Sequence, residues 1–101
     1  MHLSIIIPVY NEEKRIPNTL REIDKYLRKQ AYDYEILVVD DGSKDRTVEV
    51  GRGLASTIKN LKITGYEKNQ GKGYAVRFGL RKLWEIIDYS LMPITPLLLT
   101  R

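Results

Sequence analysis

The stretch "IIIPVYNEEKRIP", residues 5–17, decides the fold, because a saturated apolar run turns within a few positions into Tyr-Asn-Glu-Glu. Residues 3–9 (LSIIIPV) are β-branched and apolar on both faces. That pattern predicts a central strand of a parallel sheet covered by helices on each side. Pro8 has no N–H for the ladder, so it is expected at the strand's end. Beyond it, Ile16, Leu20, Ile23 and Leu27 recur at helical spacing between charged residues, which predicts an amphipathic helix starting near Pro17.

The same grammar repeats along the chain. After a turn at residues 31–33, "EILVVDDGS" gives a second buried strand over 36–39, closed by two aspartates, a glycine and a serine. Asp45 is placed to cap a second helix running to about Lys59, with Val48, Leu54 and Ile58 inward. Gly51 and Gly53 weaken that helix by roughly 1 kcal/mol each relative to alanine, so it needs tertiary support. "LKITGY" (61–66) reads as a third strand near a sheet edge, since it alternates and contains Gly65. A last helix is expected over 74–87, with Val76, Leu80, Leu83, Trp84 and Ile87 on its inner side. The resulting fold class is α/β, a Rossmann-like β-α-β-α-β-α unit with right-handed crossovers.

Composition narrows the function. With 101 residues, 43% hydrophobic and 30% charged, the chain has material for one ordinary globular domain. It contains no cysteine, which excludes a disulfide framework, a Cys-based metal site and a thiol nucleophile, and suits the cytoplasm. No secretory signal is visible at Met-His-Leu-Ser. The longest uncharged stretch, residues 89–100, contains Pro93 and Pro96 and falls short of the about 20 residues of a membrane span. The net charge of +4 is uneven: residues 1–51 hold 8 basic and 10 acidic side chains, residues 52–101 hold 9 and 3. The basic second half suits phosphorylated ligands or an anionic membrane face, or is simply solvated. Nucleic acid is disfavoured, because the basic residues are scattered without interleaved aromatics. His2, the only histidine, is expected to be an exposed terminal residue.

In open parallel sheets ligands bind beyond the carboxyl ends of the strands. Residues 10–13, 40–43 and 68–73 should therefore share one rim. It offers an aromatic face, carboxylates able to accept hydrogen bonds from a base or ribose, and a Gly-Lys-Gly loop suited to phosphate. A nucleotide fits that inventory. Each fragment also has an ordinary structural explanation: Asp-Gly-Ser as a turn, Tyr10 as a lid on the core, Gly71-Lys72-Gly73 as a helix entry.

Taken together, "IPVYNEE", "VVDDGSKDRT" and "NQGKGYAVRFGL", in this order and spacing, resemble the amino-terminal half of family 2 glycosyltransferases of the GT-A fold, over about residues 3–80. The likeness is greatest to the branch that moves a sugar from a nucleotide diphosphate to dolichyl or polyprenyl phosphate. It implies nucleotide-binding roles for six residues. Pro8, Tyr10 and Glu12 border the nucleoside, with Tyr10 against the base and Glu12 near the ribose. Val39 and Asp41 contact the base, and Lys72 lies near the diphosphate. Asn11, Asp40 and Gly71 support the loops. The implied partners are a nucleotide-diphosphate sugar and a lipid-phosphate acceptor, at the inner face of a membrane. No catalytic residue is assigned.

The family's Asp-x-Asp motif, which holds Mg²⁺ or Mn²⁺ across the diphosphate, does not occur in this sequence. The expectation is a donor-binding part over 1–88 and a non-family tail over 89–101, inactive in transfer by itself. Read one frame over, "DYSLMPI" (88–94) can spell Leu-Phe-Thr-Asp-Ala-Asp, with Leu and Ala forced by the code and the rest permitted. A frameshift near Ile87 would explain the tail, and coding DNA unable to spell Asp-Ala-Asp would dismiss it. A parallel sheet ending at its third strand is expected to be marginally stable, with unpaired backbone groups only partly covered by Trp84, Leu97, Leu98 and Leu99. Two other readings stay open. One is a non-catalytic nucleotide-binding module. The other is a phosphoacceptor receiver domain, with Asp40 and Asp41 on Mg²⁺ and Asp88 phosphorylated, in which acidic pair and strand order fit poorly.

Overall fold

The structure, a computed structural model, describes residues 2–86 and 94–98. Its elements run β1 (His2–Val9), α1 (Ile16–Leu27), β2 (Asp33–Asp41), α2 (Thr47–Ala55), β3 (Leu61–Tyr66), α3 (Lys72–Ile86) and β4 (Ile94–Leu98). The described strands form one parallel sheet in the order β3-β2-β1-β4, in which Ile5 lies opposite Ile36 and Val38 opposite Ile63. The expected β-α-β-α-β-α order is present, and β3 does lie at an edge.

Period-two alternation sends successive side chains of each strand to opposite faces. Ile5, Ile7 and Val9 pack with Ile36 and Val38 against Ile16, Leu20 and Leu27 of α1 and Leu54 of α2. Ile6, Leu37 and Val39 face the other way, against Ala75 and Leu83 of α3. Each fully buried Ile or Leu contributes about 1.5–3 kcal/mol of hydrophobic free energy, so two filled faces are what hold a sheet this small. α3 approaches so closely that a Cβ on Gly79 would stand 2.9 Å from Ile6 Cγ2 and 3.0 Å from Val39 Cγ2.

Several expectations need correction. A fourth strand, β4, pairs with β1 from His2↔Ile94 to Ile6↔Leu98, so the chain does not stop at three strands and β1 is not left with a bare edge. Its β-branched residues Ile94 and Thr95 suit a strand, and Pro96 is tolerated because β4 is the outer strand. β4 ends opposite Ile6, before Pro8, whose missing N–H therefore breaks no bond on that side. β2 continues through both aspartates, and α2 stops at Ala55 rather than near Lys59, consistent with its two glycines. Trp84 is 54% exposed instead of inward, because Ala75, Gly79 and Leu83, spaced by four, form the face that meets the sheet. His2 is not a free terminal residue: it starts β1 with its ring 3.6 Å from the Glu35 carboxylate. Ile87, Asp88, Leu99 and the segment 88–93, on which the out-of-frame and phosphoacceptor readings rest, lie outside the described residues.

Candidate functional site

The rim at the carboxyl ends of β1, β2 and β3 is built by stitching their loops together. Asn11, at φ 52°, donates its backbone N–H to Ser43 Oγ (2.8 Å), while its side-chain Oδ1 accepts from the Lys44 amide (2.9 Å). Asparagine tolerates this left-handed conformation better than most residues. One residue further, the Glu12 amide donates to Thr47 Oγ1 (2.9 Å), and the Thr47 hydroxyl donates to Asp45 Oδ1. The Asp45 carboxylate also accepts from the Thr47 amide (3.0 Å) and, at 3.4 Å, from the Glu13 amide. Desolvation, the largest influence on Asp45, raises its pKa. The hydrogen bonds from Thr47 and Glu13 outweigh it and hold the carboxyl below its ordinary value.

On the other side of the rim, a cavity of about 290 Å³ is lined by Pro8, Val9, Tyr10, Asp41, Asn69 and Lys72. Three loops distant in sequence thus meet at one opening. Tyr10 is 43% exposed, and its ring offers a flat apolar face. Lys72 opens α3, where the first helical amides and the helix dipole favour an anion. The volume suits part of a nucleotide better than a whole nucleotide sugar.

Not every residue singled out in the sequence reaches this cavity. Val39 is 0% exposed, its side chain packed in the core below. Glu12 turns toward a neighbouring cavity of about 380 Å³ shared with Asn11, Glu13, Lys14, Arg15 and Asp45, and pairs with Arg15 Nε at 2.8 Å. Asp40 is buried and accepts from the Ser43 amide (3.0 Å), which shapes the turn after β2. Gly71 donates its amide N–H to Asp41 (3.0 Å), and its carbonyl accepts from the Ala75 amide (3.1 Å). Asn69 lies within the 68–73 segment expected on the rim, whereas the sequence singles out neither Thr47 nor Tyr66; nothing local marks Tyr66 as the partner of an aspartate 25 residues earlier.

The paired aspartates do not form the Mg²⁺ site of a receiver domain. Asp40 Oδ2 accepts from the Ser43 amide while its Oδ1 is buried without a partner, and both Asp41 oxygens accept from protein N–H and O–H donors. Among the described residues no three His, Asp or Glu side chains converge as a metal would require. With no free oxygen on Asp41 and one on Asp40, the described residues supply no ligand set for a divalent cation. Among the described residues no helix is long and apolar enough to cross a membrane.

A parallel sheet sandwiched by helices, with a cavity over the strand ends and a lysine at a helix amino terminus, matches the GT-A fold of solved glycosyltransferases. The mannosyltransferase PcManGT from Pyrobaculum calidifontis, solved in complex with GDP-Man and Mn²⁺, superposes with a TM-score of 0.62 and 28% identity over 79% of this chain and 24% of its own. S. aureus TarS (residues 1–349) superposes with a TM-score of 0.73 and 28% identity over 99% of this chain and 27% of its own. The model of the family "Glycosyl transferase family 2" matches residues 4–83, and the chain belongs to that family. Among its relatives are a dolichyl-phosphate beta-glucosyltransferase of Homo sapiens, 41% identical over 85 residues (77% of this chain), and one of Trichomonas vaginalis, 42% identical over 84 residues (78% of this chain). The chain spans about a quarter (26%) of the length of each.

Proposed function

We propose that this chain is the donor-binding part of a glycosyltransferase that moves a sugar from a nucleotide diphosphate to a dolichyl or polyprenyl phosphate. In that reaction an oxygen of the acceptor phosphate bonds to the anomeric carbon as the bond from that carbon to the donor's β-phosphate oxygen breaks. The nucleoside diphosphate leaves with the bonding electrons. The observation that carries the reading is the cavity in which Tyr10, Asp41 and Lys72 converge from three separate loops. Tyr10 stacks on the base, Pro8 forms the floor beside it, and Lys72 with the first turn of α3 takes the diphosphate. Glu12 and Val39 enter the reading only as supports, Glu12 by fixing the β1–α1 loop and Val39 by its place under α3. The relatives' dolichyl-phosphate substrate supports a lipid-phosphate acceptor, and the absence of cysteine suits a site on the cytoplasmic side of a membrane.

Calorimetric titration of the chain with UDP and with GDP tests this. One of the two binds, Lys72→Gln weakens the diphosphate without changing affinity for the free nucleoside, and Tyr10→Ala weakens both. Binding that is indifferent to both substitutions, or no binding to the folded chain, overturns the reading.

A further inference from the structure

The loop between β3 and α3, residues 67–71, rests on two consecutive residues at the end of β2. The first is Asp41. Its Oδ1 accepts from the Tyr66 hydroxyl (2.7 Å) and the Gln70 amide (2.8 Å); its Oδ2 accepts from Asn69 Nδ2 (2.9 Å) and the Gly71 amide (3.0 Å). The same Asn69 amide group also reaches the Asp41 carbonyl (3.0 Å). An ionised carboxylate has about four acceptor positions, and here the protein occupies all of them. The second residue is Gly42, at φ +70°. A Cβ there would stand 2.4 Å from the Asn69 nitrogen, 2.7 Å from the Lys68 carbonyl carbon and 2.9 Å from the Glu67 oxygen. The loop backbone therefore lies directly on the space that a side chain would fill.

We propose that Asp41 and Gly42 form a cradle that seats loop 67–71 before any nucleotide arrives, making Asp41 a positioning residue for Lys72 and the first turn of α3. This rests on the donor-site reading above, but assigns Asp41 a different task from contact with the base. The tether is short: the Gly71 amide bound by Asp41 is one residue from Lys72, and the Gly71 carbonyl receives the Ala75 amide. Tyr66 extends it, since its ring meets Tyr74 and Phe78 of α3 edge-on at centroid distances of 5.1 and 5.0 Å. The four donors also offset the negative charge of Asp41, which would otherwise face an incoming diphosphate.

Two measurements on the folded chain test it. Amide exchange by NMR, without nucleotide, reads the cradle. In the parent chain Gln70 and Gly71 are protected; in Asp41→Asn, whose new NH₂ cannot accept a hydrogen bond, both exchange roughly tenfold faster while Val38 in the core keeps its rate. Tyr66→Phe, the milder change, loosens the same two amides to a smaller degree and decides the matter if Asp41→Asn does not fold. Unchanged exchange at Gln70 and Gly71 in a folded variant overturns the cradle. Affinity reads the consequence: Gly42→Ala, which leaves the carboxylate in place, weakens a nucleoside diphosphate roughly tenfold and the free nucleoside little. Equal losses for both, or a loss in Asp41→Asn with loop exchange unaltered, assign Asp41 to the base instead. If the parent chain binds no nucleotide, the donor-site reading fails by itself and the exchange result still decides the cradle.

Discussion

Thr47→Val removes one oxygen from the junction of two loops and keeps the shape of the side chain. Thr47 is 1% exposed, and its hydroxyl both accepts from the Glu12 amide (2.9 Å) and donates to Asp45 Oδ1. Valine leaves the Glu12 N–H without its acceptor and strips the Asp45 carboxylate of one donor. The neutral bond is worth about 1 kcal/mol and the bond to the carboxylate about 1.5–3 kcal/mol. Exchanging a hydroxyl for a methyl in a buried site offsets about 1 kcal/mol. The net expectation is a destabilisation of about 1.5–3 kcal/mol, against about 1 kcal/mol for Thr47→Ser, which keeps the hydroxyl and loses a methyl. Urea unfolding followed by circular dichroism measures both; with m about 1 kcal/mol per molar, the midpoint of Thr47→Val falls by about 1.5–3 M. Acid adds a second, signed criterion. Because the folded Asp45 carboxyl has a pKa below the ordinary 3.8, its contribution is fully present above that pH and is lost as pH falls toward the folded value. The gap between parent and Thr47→Val therefore narrows in that acid range. A valine variant no less stable than the serine variant, or a gap that widens below pH 3.8, refutes the reasoning.

Two glycines should respond in opposite directions in thermal unfolding. Gly53→Ala has nothing within 4 Å of the new Cβ and gains about 0.5–1 kcal/mol, whereas Gly65→Ala puts its Cβ 2.5 Å from the Asp40 carbonyl oxygen and loses about 3 kcal/mol. Leu20→Ala, at a 0% exposed position between α1 and the sheet, costs about 2–5 kcal/mol in urea unfolding. Tyr66 ionises above its ordinary 10.0 in an ultraviolet pH titration, since burial first and its bond to the Asp41 carboxylate second hold its proton. The unfolded chain ionises this tyrosine near its ordinary 10.0, so folding stability falls as pH rises above that value; Tyr66→Phe removes that part of the alkaline loss.

The sequence alone determined the order of strands and helices from β1 to α3 and the faces that β1, α1 and β2 bury, because those follow from periodicities of two and of about 3.6 within single segments. "IIIPV" and "ILVV" are apolar on both faces and rich in β-branched residues, as a sheet covered on both sides requires, and in such a sheet the loops that follow share one rim. That is why Tyr10, Asp41 and Lys72 could be brought together from residue types and topology. Tertiary structure decided the rest, for reasons no local pattern carries. Whether Glu12 faces the cavity or Arg15, and which donors Asp41 receives, depend on distances between loops some 30 residues apart, which the strand register sets. Trp84 shares α3 with Ala75, Gly79 and Leu83, and small side chains won the inner face because the helix packs too close to Ile6 and Val39 for an indole. β4 likewise required a free edge of β1 to pair with, and an edge exists only once the sheet has been assembled.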